Sequence, residues 1–118
     1  MNKAIELELD EKNLLALFSS FETILKASSI ISKISETELK NTLDLLSTAY
    51  TDISLKISYY NTQTALAYNV RALLSLNAVR YQLTSLINQC KKNTNEYWKL
   101  LSILDKINNL EMYLENHK

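Results

Sequence analysis

Apolar residues along this chain recur at steps of three and four, the period of an α-helix with one face in a core. Four such runs separate. The first follows Asp10, a residue type that caps helices, with Glu11 in the first turn, and it aligns Leu14, Leu17, Phe18, Phe21, Ile24, Leu25 and Ile31. It predicts a helix over 11–34. The stretch SETE then gives Ser35 and Glu38 the spacing of a capping box, in which each side chain satisfies an amide left open at a helix start. From there Leu39, Leu43, Leu46, Tyr50, Ile53, Ile57 and Tyr60 form an unbroken heptad seam, which predicts a second helix over 36–60.

The tetrad NTQT at 61–64 is the expected turn. It has no glycine and no full capping box, so one continuous helix over 36–92 is a competing expectation. With the turn, the third helix covers 64–92 and aligns Ala65, Tyr68, Ala72, Leu76, Val79, Leu83, Leu86 and Cys90. The run KKNTNE breaks the pattern: Lys91 and Lys92 favour a helix C-terminus, and Asn93 with Glu96 can cap the next helix. The fourth, over 95–116, aligns Tyr97, Leu100, Ile103, Leu104, Ile107, Leu110 and Leu114. Short connections make successive helices antiparallel, so the expected fold is an all-α, up-down-up-down four-helix bundle. In residues 1–10, Ile5, Leu7 and Leu9 alternate with Glu6 and Glu8. With no second strand to pair with, they read as an N-terminal arm on a single domain over 11–118.

Composition narrows the function more than the fold. The 118 residues include no glycine and no proline, which leaves little besides helices and short polar links. Without glycine there is no phosphate-cradling loop and no glycine-flanked serine elbow. The single Cys90 and single His117 make no zinc set or Cys–His pair, and no Glu-x-x-His pair suits a di-iron centre. Glu111 and Glu115, one turn apart, read as a solvated pair. No catalytic residue, metal, cofactor or small-molecule substrate is therefore expected. No apolar run approaches the roughly 18 residues of a membrane span, the first residues are acidic where a secretory signal needs an apolar centre, and a lone cysteine suits a reducing compartment. The expected setting is cytoplasmic, away from membranes.

Charge and the third helix carry the positive signals. Between Asp52 and Glu96 the chain has Lys56, Arg71, Arg80, Lys91 and Lys92 and no acidic residue. A nucleic-acid-contacting small subunit of a ribonucleoprotein complex would set these cations, from the acid-free stretch 53–95, on phosphates. Against that, Arg71 and Arg80 fall on opposite sides of the helix and the formal net charge is zero. Beside its clean face the third helix has a second arc, Leu66, Val70, Leu73, Leu74, Tyr81 and Ile87, interrupted by Asn69, Asn77, Arg80 and Thr84. A helix apolar around most of its circumference is buried on more than one side, and this mixture resembles an interface centre. The leading expectation is a non-enzymatic helical protein-protein interaction module, a homo-oligomer or a small subunit of a larger assembly. Val70, Leu73, Leu74 and Tyr81 would be its anchors, with Asn77 and Arg80 fixing register. A small inhibitor or immunity protein is a further reading on analogy of architecture, and no motif selects it. If the last two helices pair about residues 93–94, Arg80 faces Ile107, one turn from Glu111. An intrachain ion pair is then its first expectation, ahead of a partner or a phosphate.

Overall fold

The computed structural model describes residues 10–27, 34–59 and 62–116. The expected arm at 1–9, and Ile31, Tyr60 and His117, lie outside them. Among the described residues are four helices, α1 (Glu11–Leu25), α2 (Glu36–Ser58), α3 (Gln63–Gln89) and α4 (Asn95–Asn116). α1 packs on α2 and α4, and α3 packs on the same two. The ring closes as a four-helix bundle.

The caps explain most boundaries. Asp10 accepts the amide of Asn13 at 2.8 Å, and Ser35 accepts that of Glu38 at 3.1 Å while its hydroxyl donates to the Glu38 carboxylate at 3.0 Å. α1 is shorter than the expected 11–34, ending at Leu25 with Lys26 as its cap; the Lys26 amide donates to the carbonyl of Glu22 and the Ala27 amide to that of Ile24. The positions one turn beyond Leu25 are Ser28 and Ser29, so the apolar stripe lapses where a helix would need it to continue. Nor does the continuous helix over 36–92 form: α2 stops at Ser58, short of 60, and α3 opens at Gln63. Thr62 accepts the amide of Ala65 at 3.1 Å and donates to the carbonyl of Tyr59 at 2.7 Å. One threonine cap suffices where a full box is missing.

α3 ends at Gln89, before the expected 92, because Cys90 turns to extended backbone at φ −86° and ψ 147°. Lys91 and Lys92 therefore follow the helix. Asn93 takes φ 66°, a left-handed conformation that glycine would ordinarily fill and that asparagine tolerates better than most. Thr94, in place of Asn93, caps α4, its hydroxyl accepting the amide of Tyr97 at 3.3 Å.

The core joins Leu14, Phe18, Phe21 and Leu25 to Leu46 and Ile53, to Leu76, Val79 and Leu83, and to Leu100, Ile103, Ile107, Leu110 and Leu114. On α2 the buried line is Thr42, Leu46, Ala49, Asp52 and Ile53, about one residue around the helix from the predicted seam. Leu39, Leu43, Tyr50 and Ile57 are only partly buried. The cause lies in the α2–α3 contact, the most extensive in the bundle. Thr42 and Ala49 on one helix and Ala65 and Ala72 on the other are buried small residues, which let the backbones approach while bulkier neighbours straddle the contact.

Candidate interaction surface

The outward side of α3 is set by its two neighbours. Helical period turns Ala65, Ala72, Leu76, Val79, Leu83 and Leu86 inward, and all six are buried. The same period turns Leu66, Val70, Leu74 and Tyr81 outward, where they are 46%, 52%, 67% and 67% exposed. They form one stripe about 22 Å long at 1.5 Å per residue. Leu73 and Asn77 flank it, half-buried.

Two residues of the expected second arc belong elsewhere. Ile87 is buried and joins the core. Asn69, which reads in the sequence as a polar interruption, is fully buried. Its amide nitrogen donates to the carbonyl of Leu114 at 3.1 Å and its oxygen accepts from the Lys56 ammonium, so it ties three helices together. Because α2 and α4 both pack on α3, its buried arc is wider than a single clean face.

α3 carries two charged residues, and each meets a carboxylate of a neighbouring helix. Arg80 Nε lies 3.1 Å from Glu111 Oε1, as the helix pairing predicts. A terminal nitrogen of the same guanidinium donates to the side-chain oxygen of Asn77, and its carbon sits 5.5 Å from the Tyr81 ring centre. Burial pushes the Glu111 carboxyl above its ordinary range, a pull that Arg80 opposes and Glu115 reinforces. Arg71 lies 3.5 Å from Oδ1 of Asp52, whose side chain is 2% exposed and whose Oδ2 has no hydrogen-bond partner among the described residues. That guanidinium also lies over Tyr68, which stacks on Tyr59. The outer face of α3 thus holds no charge that is not already countered within the chain.

The five cations considered for phosphate do not share one surface. Lys56, Arg71 and Arg80 each meet an acceptor on a neighbouring helix of the chain, Arg71 from an exposed position, and burial lowers the Lys56 pKa from its ordinary value. Lys91 and Lys92 are exposed beyond the C-terminus of α3. From Asn69, which holds Lys56, to Lys91 the chain climbs about 30 Å along α3. Cys90 is half-buried against the core. Like Asn69, Asp52 and Thr42 are buried polar residues that the apolar pattern does not reveal. Thr42 meets Gln82 across the α2–α3 contact and Asp52 meets Arg71 further along it. Counting outward from Thr62 pairs Thr42 with Gln82 and brings Asp52 within one residue of Arg71, and the acid-free stretch around Arg71 calls for such a counter-charge.

A second, shallow groove runs between α1 and α2, lined by Leu15, Phe18, Ser19, Glu22, Leu43, Leu46, Ser47 and Tyr50. Its carboxylate, Glu22, is paired with Lys26 at 2.9 Å. Among the described residues no group of three or more His, Cys, Asp or Glu side chains is placed to hold a metal, and no helix is long and apolar enough to cross a membrane. Fold and surface together define an all-α four-helix bundle with an apolar, charge-countered outer helix face. Compared with protein-family models, curated proteins and solved structures, the chain finds no match.

Proposed function

We propose that this chain is a non-enzymatic protein-protein interaction module that works through the outward face of α3, as a homo-oligomer or as a small subunit of a larger assembly. The observation that carries this reading is the stripe of Leu66, Val70, Leu74 and Tyr81, half to two-thirds exposed on a helix whose arginines are paired within the chain. Polar residues ordinarily hold the outer face of a bundle helix. At roughly 100 Å² of exposed apolar surface for each side chain, covering the stripe removes about 400 Å² from water. At about 25 cal/mol per Å² that is a gross gain near 10 kcal/mol, comparable with the entropic cost of association. Such a balance suits a specific, reversible complex. A reducing, cytoplasmic setting suits the single cysteine.

The test compares wild type with a Leu74→Glu, Tyr81→Glu variant. Both positions are exposed, so the variant keeps the helical circular dichroism of the wild type. It loses self-association, or binding of its partner, in sedimentation velocity. Association unchanged by the two glutamates would refute the reading. Retention on nucleic acid that weakens steeply with salt and disappears in Lys91→Glu with Lys92→Glu would replace it with phosphate recognition.

A further inference from the structure

Resting on the reading of α3 as a docking face, we infer that its occupant is a second copy of this chain, joined about a two-fold axis near Leu74. Charge is the first argument. Arg71 and Arg80 are the charged residues of the helix between Gln63 and Gln89, and both are paired with carboxylates of their own chain. A partner with charged groups opposite the stripe would have to bury them unpaired, which is costly. A second copy presents the same uncharged stripe. The formal net charge of zero also leaves no long-range repulsion between copies.

Area is the second argument. A standard interface takes about 800 Å² from each partner, and a little over half of that is apolar, so each side supplies about 450 Å² of apolar surface. The stripe, with roughly 400 Å², comes close to that requirement by itself. Its composition fits as well: a tyrosine at one end, leucines and a valine along it, and Asn77 with its side-chain oxygen held by Arg80 on the flank. Leu74 lies midway along the stripe, at the centre that a two-fold axis must cross in either helix orientation. It is therefore the residue that meets its own copy.

The experiment uses the full chain with Cys90→Ser, to which Leu74→Cys is added. Mild oxidation joins Leu74→Cys into a covalent dimer, whereas Leu15→Cys, at an exposed apolar position on α1, stays monomeric under the same conditions. In sedimentation equilibrium, Leu74→Glu weakens dimerisation by roughly 30-fold or more, as expected at the centre of an interface. A wild-type chain that is monomeric at every concentration, and Leu74→Cys that does not cross-link, would overturn the dimer. If that monomer still binds another protein and loses it in Leu74→Glu, only the second copy is wrong and the docking face stands. Dimerisation that Leu74→Glu leaves unchanged would overturn both.

Discussion

Replacing Arg80 with methionine leaves Glu111 in place without its cation. One-sided removal from a fully buried ion pair costs about 3 to 5 kcal/mol, and from an exposed pair about 0 to 1. This pair lies between the two, with side chains 37% exposed for Arg80 and 15% for Glu111. Arg80→Met should therefore cost about 2 kcal/mol at neutral pH. Glu111→Leu should cost only about 1 kcal/mol, because the guanidinium keeps Asn77 and Tyr81 and reaches water. The double variant should return to within about 1 kcal/mol of wild type, since apolar packing replaces such pairs well. A pH signature distinguishes this account from simple loss of packing. Burial already raises the folded-state pKa of Glu111 above its ordinary 4.5, so the folded chain binds that proton more readily than the unfolded one. Ionisation of Glu111 therefore disfavours the folded state above the ordinary carboxylate range and has no such effect below it. Losing Arg80 raises the pKa further, so the deficit of Arg80→Met should shrink as pH falls toward that range. Urea melts across pH, on a Leu74→Glu background that keeps association out of the measurement, provide the data. Two additive single effects, or a deficit that does not change with pH, would refute the argument.

Further outcomes follow from other contacts. Arg71→Met should destabilise by about 1 to 2 kcal/mol in the same melts, because the buried Asp52 side chain loses the cation beside it. Thr94→Ala should cost about 1 kcal/mol as a lost helix cap. Asn93→Ala should cost about 1 kcal/mol while Asn93→Gly costs nothing measurable, since the backbone there is left-handed. Lys56, with its pKa lowered from 10.5 by burial, sheds its proton sooner in the folded chain. Wild-type stability measured against Lys56→Met should therefore rise as pH climbs toward 10.5, and a difference that stays flat would exclude a buried ammonium.

Much of the fold was legible because apolar spacing and caps act locally. The box at Ser35 and Glu38 and the face of α4 needed only neighbouring residues, and the Arg80–Glu111 pair needed one further step of counting across a short connection. What escaped depends on neighbouring helices. Asn69 is polar in any scale, yet it is buried because α2 and α4 bring Lys56 and the Leu114 carbonyl to it. Asp52 lies inside because the close α2–α3 approach turns α2 away from its most apolar seam, and Arg71 meets it there. The end of α1 was missed for a different reason: isoleucines at 30 and 31 resume the pattern after two serines have interrupted it. Within the candidate site, Val70, Leu74 and Tyr81 were readable from helical phase alone, Leu66 belonged to the same arc, and Ile87 could be assigned to the core only once both neighbours of α3 were placed.

Methyl NMR of the wild-type chain, followed from dilute to concentrated solution, tests the α3 surface most directly. The methyl signals of Leu66, Val70 and Leu74 should shift together and saturably, while those of Leu15 and Leu43 in the α1–α2 groove and of buried Ile103 and Ile107 stay fixed. Shifts confined to the groove, or none at any concentration, would contradict self-association through α3.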